Sequence, residues 1–92
     1  MDSKNVKNAR LADLLLSTQV VTAAVKDIPG ASINSGNVEL ELAEFGENAA
    51  VVLAESAGEI ATVSLSGTVA TLDFTSALTD ASILRVAVKQ DI

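Results

Sequence analysis

Cysteine, histidine, tryptophan and tyrosine are all absent from this 92-residue chain, and two phenylalanines are its only aromatic residues. Without cysteine there is no disulfide or thiol chemistry. Cysteine usage therefore does not indicate whether the protein belongs to an oxidising or a reducing compartment. Without histidine or cysteine, a serine nucleophile would need a lysine or carboxylate base, and no Ser-x-x-Lys or Gly-x-Ser-x-Gly element occurs. We therefore expect no enzyme activity and no catalytic residue.

Long apolar runs and basic patches are missing as well. No apolar stretch reaches 18 residues, so we expect no membrane span. A net charge of −6 and the scarcity of aromatic rings disfavour nucleic-acid binding, which needs basic grooves and stacking surfaces. No glycine-rich phosphate loop is present, and we expect no cofactor.

The densest acidic segment holds Glu39, Glu41, Glu44 and Glu47. Paired carboxylates serve glycoside hydrolysis, and clustered ones bind calcium. Glu39 and Glu41, however, alternate with apolar residues, as on the solvated side of a strand, and the glycine-centred spacing of a calcium loop is absent. We expect neither a catalytic pair nor a metal site here.

The second half of the chain has the pattern of short strands separated by glycine turns. Five runs alternate or are continuously apolar, over residues 37–43, 49–54, 60–65, 68–74 and 82–89. Short turns favour antiparallel order, because a parallel crossover needs a dozen or more residues. Both faces of residues 49–54 are apolar, so we expect that strand to be covered on both sides.

The first third of the chain predicts one amphipathic helix over residues 3–28, with apolar residues such as Leu11, Leu15 and Val25 at helical spacing. Pro29 and Gly30 end it. Residues 29–36 are then a linker, and residues 37–92 a five-stranded, mainly antiparallel β-meander, closed as a small sandwich or a partly open barrel. The predicted fold class is α+β in a single domain, 1–92.

Such a helix is longer than the sheet beneath it. At 1.5 Å per residue it spans roughly 36 Å, whereas a seven-residue strand spans about 23 Å. Part of its apolar face then lacks a partner within the subunit. Either a neighbouring subunit covers the overhang, which assigns Leu16 and Val20 to an assembly contact, or the helix is kinked or shorter than drawn.

Charge is divided unevenly along the chain. Residues 1–26 carry four basic and two acidic side chains, and residues 27–92 carry two basic and ten acidic ones. Lys4, Lys7 and Arg10 lie at the predicted helix start, where the macrodipole disfavours cations. We expect them to be either solvated or in contact with the acidic part of another copy, head to tail.

These features predict a non-catalytic structural subunit whose partners are copies of itself and a larger capsid or filament protein. In architecture and composition the chain looks like small phage virion proteins, such as capsid decoration or fibre subunits. The expected location is then the virion, assembled in the host cytoplasm. An extracellular filament is the alternative, with an open strand edge at Leu84, Val86 and Val88 as a further candidate contact. A cytoplasmic protein-binding adaptor is the other alternative.

Overall fold

The computed structural model describes residues 18–90, which form two antiparallel four-stranded sheets with a shared core. The strands are β1 (Thr18–Ala24), β2 (Ala31–Asn34), β3 (Asn37–Glu41), β4 (Ala49–Ser56), β5 (Glu59–Ile60), β6 (Thr62–Ser66), β7 (Val69–Asp73) and β8 (Ile83–Gln90). Single 3-10 turns at Val25–Asp27 and Leu42–Phe45 are the only helical elements among the described residues.

Sheet A has the order β1-β8-β4-β5, and sheet B has the order β2-β3-β7-β6. The chain changes sheets four times: after β1, β3, β5 and β7. Consecutive strands are therefore often in different layers, and the predicted meander is wrong. β8 lies in the middle of sheet A, paired with β1 on one side and β4 on the other.

The core lies between the two sheets and follows the period-2 alternation of their strands. Val38 and Leu40 of β3 and Leu72 of β7 point inward from sheet B, and all three are fully buried. The 3-10 turn after β1 adds Val25 and the turn after β3 adds Leu42, so the crossings themselves are anchored by apolar side chains.

The predicted α+β fold is wrong, because residues 18–24, placed in the helix, form strand β1. All seven pair with β8, from Thr18 opposite Lys89 to Ala24 opposite Ile83. The β-branched run at residues 20–22 favours a strand, and this pairing outweighs the helical spacing of the apolar residues. Residues 1–17, which hold most of the predicted helix, lie outside the described residues.

Two further sequence predictions differ from the structure. Residues 31–34, assigned to the linker 29–36, form strand β2 and pair with β3. The strand at residues 49–54 is not covered on both sides, because Val52 is 61% exposed and Leu53 is 38% exposed. The β-sheet character predicted for the second half of the chain is confirmed.

Glycine is required at the tight corner between the first 3-10 turn and β2. Gly30 has φ of +77°, and a Cβ atom there would lie 2.9 Å from the carbonyl oxygen of Glu41. This close approach lets Glu41 donate its backbone N–H to the Gly30 carbonyl at 2.9 Å. The corner therefore joins the start of β2 to the end of β3 through backbone alone.

Candidate assembly surfaces

The outer face of sheet A carries an apolar patch, here called the outer patch, formed by Val20, Val52, Leu53 and Ala87. Val20 of β1 lies opposite Ala87 of β8, which lies opposite Leu53 of β4, so three strands contribute to one row. Val20 is 62% exposed. No element among residues 18–90 covers this face.

A β-bulge creates the β4 part of the outer patch. The pairing of β4 with β8 shifts register between Val51 and Leu53, which inserts Val52 as an extra residue. Strict alternation would have turned Leu53 inward. The bulge instead leaves Val52 and Leu53 both on the outside and returns Ala54 to the core, where it is fully buried.

One ion pair flanks the outer patch. Arg85 and Glu55 lie opposite each other on β8 and β4, with Nη2 and Oε1 3.4 Å apart. The arginine side chain is largely exposed, so the pair contributes at most about 1 kcal/mol to the stability of the fold. It places one positive and one negative group side by side at the border of an apolar surface.

A second surface is the open side of the sandwich between β4 and β6, here called the edge cleft. β5 pairs with only the last two residues of β4, Glu55 and Ser56. The Ala61 N–H then donates to the Ala54 carbonyl at 2.9 Å, and beyond it β6 departs to sheet B. The result is a cleft of about 540 Å³ between the start of β4 and the end of β6.

Leu65 lies in the edge cleft with its side chain on the core side of sheet B. It pairs with the buried Ala70 of β7, yet it remains 63% exposed. The reason is that β4 is the last long strand of the opposite sheet, so no long strand among residues 18–90 lies over β6. The inner face of β6 is thus an unfinished part of the core.

Glu59 of β5 holds the loop between β7 and β8 through hydrogen bonds to its carboxylate. It accepts hydrogen bonds from the Thr75 hydroxyl at 2.7 Å, from the Thr75 backbone N–H, and from the Ser76 N–H at 3.2 Å. These bonds, chiefly the one from the Thr75 hydroxyl, lower the pKa of Glu59. The carboxylate thus joins the loop between β7 and β8 to β5.

The structure brings one predicted assembly residue, Val20, into the outer patch. Leu84, Val86 and Val88 are buried in the core on the central strand β8, so their backbone edge is already paired on both sides. Lys4, Lys7, Arg10 and Leu16 lie outside the described residues. Sequence reasoning missed Leu53 because the bulge depends on long-range pairing, and missed Leu65 because its exposure depends on the opposite sheet.

Within residues 18–90, no three His, Cys, Asp or Glu side chains are grouped as a metal ion would require. Over the same residues, no helix has the length and apolar character to cross a membrane. Comparison with known protein families, with curated proteins and with solved structures finds no match to the chain.

Proposed function

We propose that this chain is a non-catalytic structural subunit that assembles with copies of itself. The observation that carries the proposal is the outer patch: large aliphatic side chains exposed on β1 and β4, with the smaller Ala87 of β8 between them on the same face of the sheet. Contiguous apolar surfaces of this kind mark interaction sites, whereas single exposed apolar residues need no explanation.

A second copy is the occupant that fits the flanking charges. A two-fold axis parallel to the strands, between β8 and β4, places Ala87 of one copy against Leu53 of the other. The same operation places Arg85 of each copy against Glu55 of the other copy, so the ion pair occurs twice in the interface. The surface is therefore complementary to itself in both apolar and charged positions, as an isologous interface must be.

The size of the outer patch indicates a weak contact. Three strands about 4.8 Å apart and seven residues long present a whole outer face of roughly 350 Å², and the outer patch occupies only part of it. A stable pairwise interface buries about 800 Å² per partner. A contact of this size holds copies together only where each copy makes several contacts, as in a fibre or a lattice.

For the setting, we propose a phage virion, as a decoration or fibre subunit, with an extracellular filament as the second candidate. Both settings use repeated weak contacts between identical small subunits, which is the property that the outer patch supports. A protein-binding adaptor would instead place a different protein on the patch.

Sedimentation velocity and light scattering over a range of protein concentrations test the proposal. The native chain is expected to form concentration-dependent assemblies. Leu53→Glu should reduce their size at a given concentration, because a charge would be buried without a partner in the contact. Ala77→Glu adds the same charge on an exposed loop away from the patch and should assemble like the native chain.

Circular dichroism should show the native fold in both variants, since Leu53 is partly exposed. A native chain that stays a monodisperse monomer at the highest concentration would contradict self-assembly and would favour the adaptor.

A further inference from the structure

Apart from Glu59 of the two-residue strand β5, the open edges of the two sheets carry no charge, and the central strands do. Residues 18–24, 31–34, 49–54 and 62–66, which make up β1, β2, most of β4 and β6, contain no Asp, Glu, Lys or Arg. The strands with a neighbour on both sides contain six charged residues, counting Glu55 where β4 is paired with β5: Glu39, Glu41, Glu55, Asp73, Arg85 and Lys89. Proteins that stay monomeric place lysine, proline or inward-pointing charges on edge strands to prevent pairing with another chain. Here most of the strand charges lie on central strands instead.

The two open sides of the sandwich match in strand direction. On one side, residues 19–24 of β1 and strand β2 lie at the edges of sheets A and B; on the other side lie residues 49–53 of β4 and strand β6. Following the antiparallel pairs across each sheet, β1 runs parallel to β4 and β2 runs antiparallel to β6. Per copy, three strands of sheet A (β1, β8 and β4) and four strands of sheet B lie between the two open sides. A copy shifted sideways without turning over must therefore also tilt towards sheet A to pair in both sheets at once.

We propose that the β1–β2 side of a second copy closes the edge cleft, so that copies join head to tail and both sheets continue across the junction. This inference rests on the proposed self-assembly and names a second contact for it. β1 of the incoming copy lies beside β4 and over β6, where it covers Leu65. The added strand completes the part of the core that the subunit leaves open.

The charges at the cleft suit this partner. When β1 of the incoming copy runs parallel to β4, its first residue, Thr18, comes beside the start of β4, next to Glu47, which lines the cleft. Residues 1–17 carry Lys4, Lys7 and Arg10 against two acids. Because the sequence before Thr18 is net basic and Glu47 lies at the cleft, assembly should weaken as salt rises.

A cysteine pair in sheet B tests the junction directly, because the chain has no cysteine of its own. One row of the sheet runs from Ser32 of β2 through Glu39 and Thr71 to Ser64 of β6. Straight continuation of the sheet places Ser64 of one copy beside Ser32 of the next. Antiparallel neighbours have Cα atoms about 4.5–5.5 Å apart, within the range for a disulfide.

The double variant Ser32→Cys/Ser64→Cys is oxidised, or treated with a short bismaleimide that tolerates a small shift in register, and is analysed on a non-reducing gel. A ladder of covalent multimers is expected. Each single variant, Ser32→Cys or Ser64→Cys, should give only monomer, since a head-to-tail junction never brings two identical positions together.

Covalent dimers from Ser64→Cys alone would show two-fold pairing of β6 with β6 and would overturn the head-to-tail junction. A double variant that gives no ladder with either reagent, while the native chain assembles, would also overturn the head-to-tail junction. The proposed contact through the outer patch would not be affected by that result. A native chain that does not assemble removes the proposed function itself.

Leu65→Glu separates the two contacts. The Leu65→Glu variant should form only dimers, held by the outer patch. The Leu53→Glu variant should still form head-to-tail chains, held by the edge cleft. Equal assembly of Leu65→Glu and Ala77→Glu would contradict the role given to the cleft. Because Leu65 is mostly exposed, circular dichroism of the Leu65→Glu variant should match that of the native chain.

Discussion

Replacing Leu84 with alanine should lower the free energy of unfolding of the subunit by about 3 kcal/mol. Leu84 is fully buried on the central strand β8. The change removes three carbon atoms, about 2.4 kcal/mol of apolar burial, and the cavity left behind adds to that loss. A domain of this size is stabilised by about 5–14 kcal/mol in total, so the variant loses a substantial part of it.

Ile83→Ala is the matched control, since it removes similar apolar volume one residue away on the opposite face. Ile83 is 57% exposed, so the expected loss is about 1 kcal/mol. Urea unfolding followed by circular dichroism measures both variants, at concentrations where light scattering shows a monomer. At about 4–8 °C per kcal/mol, the melting temperature of Leu84→Ala should fall by roughly 12–24 °C.

The outcome that would refute this reasoning is a Leu84→Ala variant that unfolds like the native chain but assembles less. Leu84 would then act between subunits, as the sequence predicted for Leu84, Val86 and Val88, and its burial within one subunit would not describe its role. The assignment of these three residues to an assembly contact stays a prediction until that measurement.

Four further changes probe the corners and loops. Gly36→Ala should cost about 1–2 kcal/mol through its positive φ alone, and Gly30→Ala should cost more in urea unfolding because its Cβ would also meet a backbone oxygen. Ser56→Ala should cost about 1 kcal/mol, because the Ser56 hydroxyl donates to the Ile83 carbonyl at 2.7 Å in a buried position; equal melting of variant and native chain would contradict this. The folded-state pKa of Glu59 lies below its ordinary value of 4.5, so its stabilising effect is present above that pH and is lost as the pH falls. The melting temperatures of native chain and Glu59→Gln should therefore converge on acidification, and a constant difference would exclude this carboxylate as the cause.

The strand pattern in the second half of the chain was readable because alternation is a local property. Val38 and Leu40 alternate with Glu39 and Glu41, and the structure buries the first two and leaves the acids partly exposed. Glycine marked the turns at 58 and 67, which adopt positive φ. Residues 20–25 satisfied the helical and the strand period at once, and only the pairing of β1 with β8 decided between them.

Val20 was predicted as an assembly contact from a helix that is absent over residues 18–24, and it lies on the outer patch for a different reason. Its exposure follows from β1 facing outward at that position. The absence of charge from β1, β2 and β6 was already visible in the sequence, but its meaning was not, because nothing local distinguishes an edge strand from a central one.

By itself the sequence determined the absence of cysteine and histidine, the uneven distribution of charge, and the β-sheet character of residues 37–90, since composition and alternation need no partner to be recognised. Tertiary structure alone decided which strands share a sheet, that β8 is central and β6 uncovered, and that a bulge turns Leu53 outward. These features depend on hydrogen bonds between residues far apart in the chain, and the surfaces proposed for assembly arise from them.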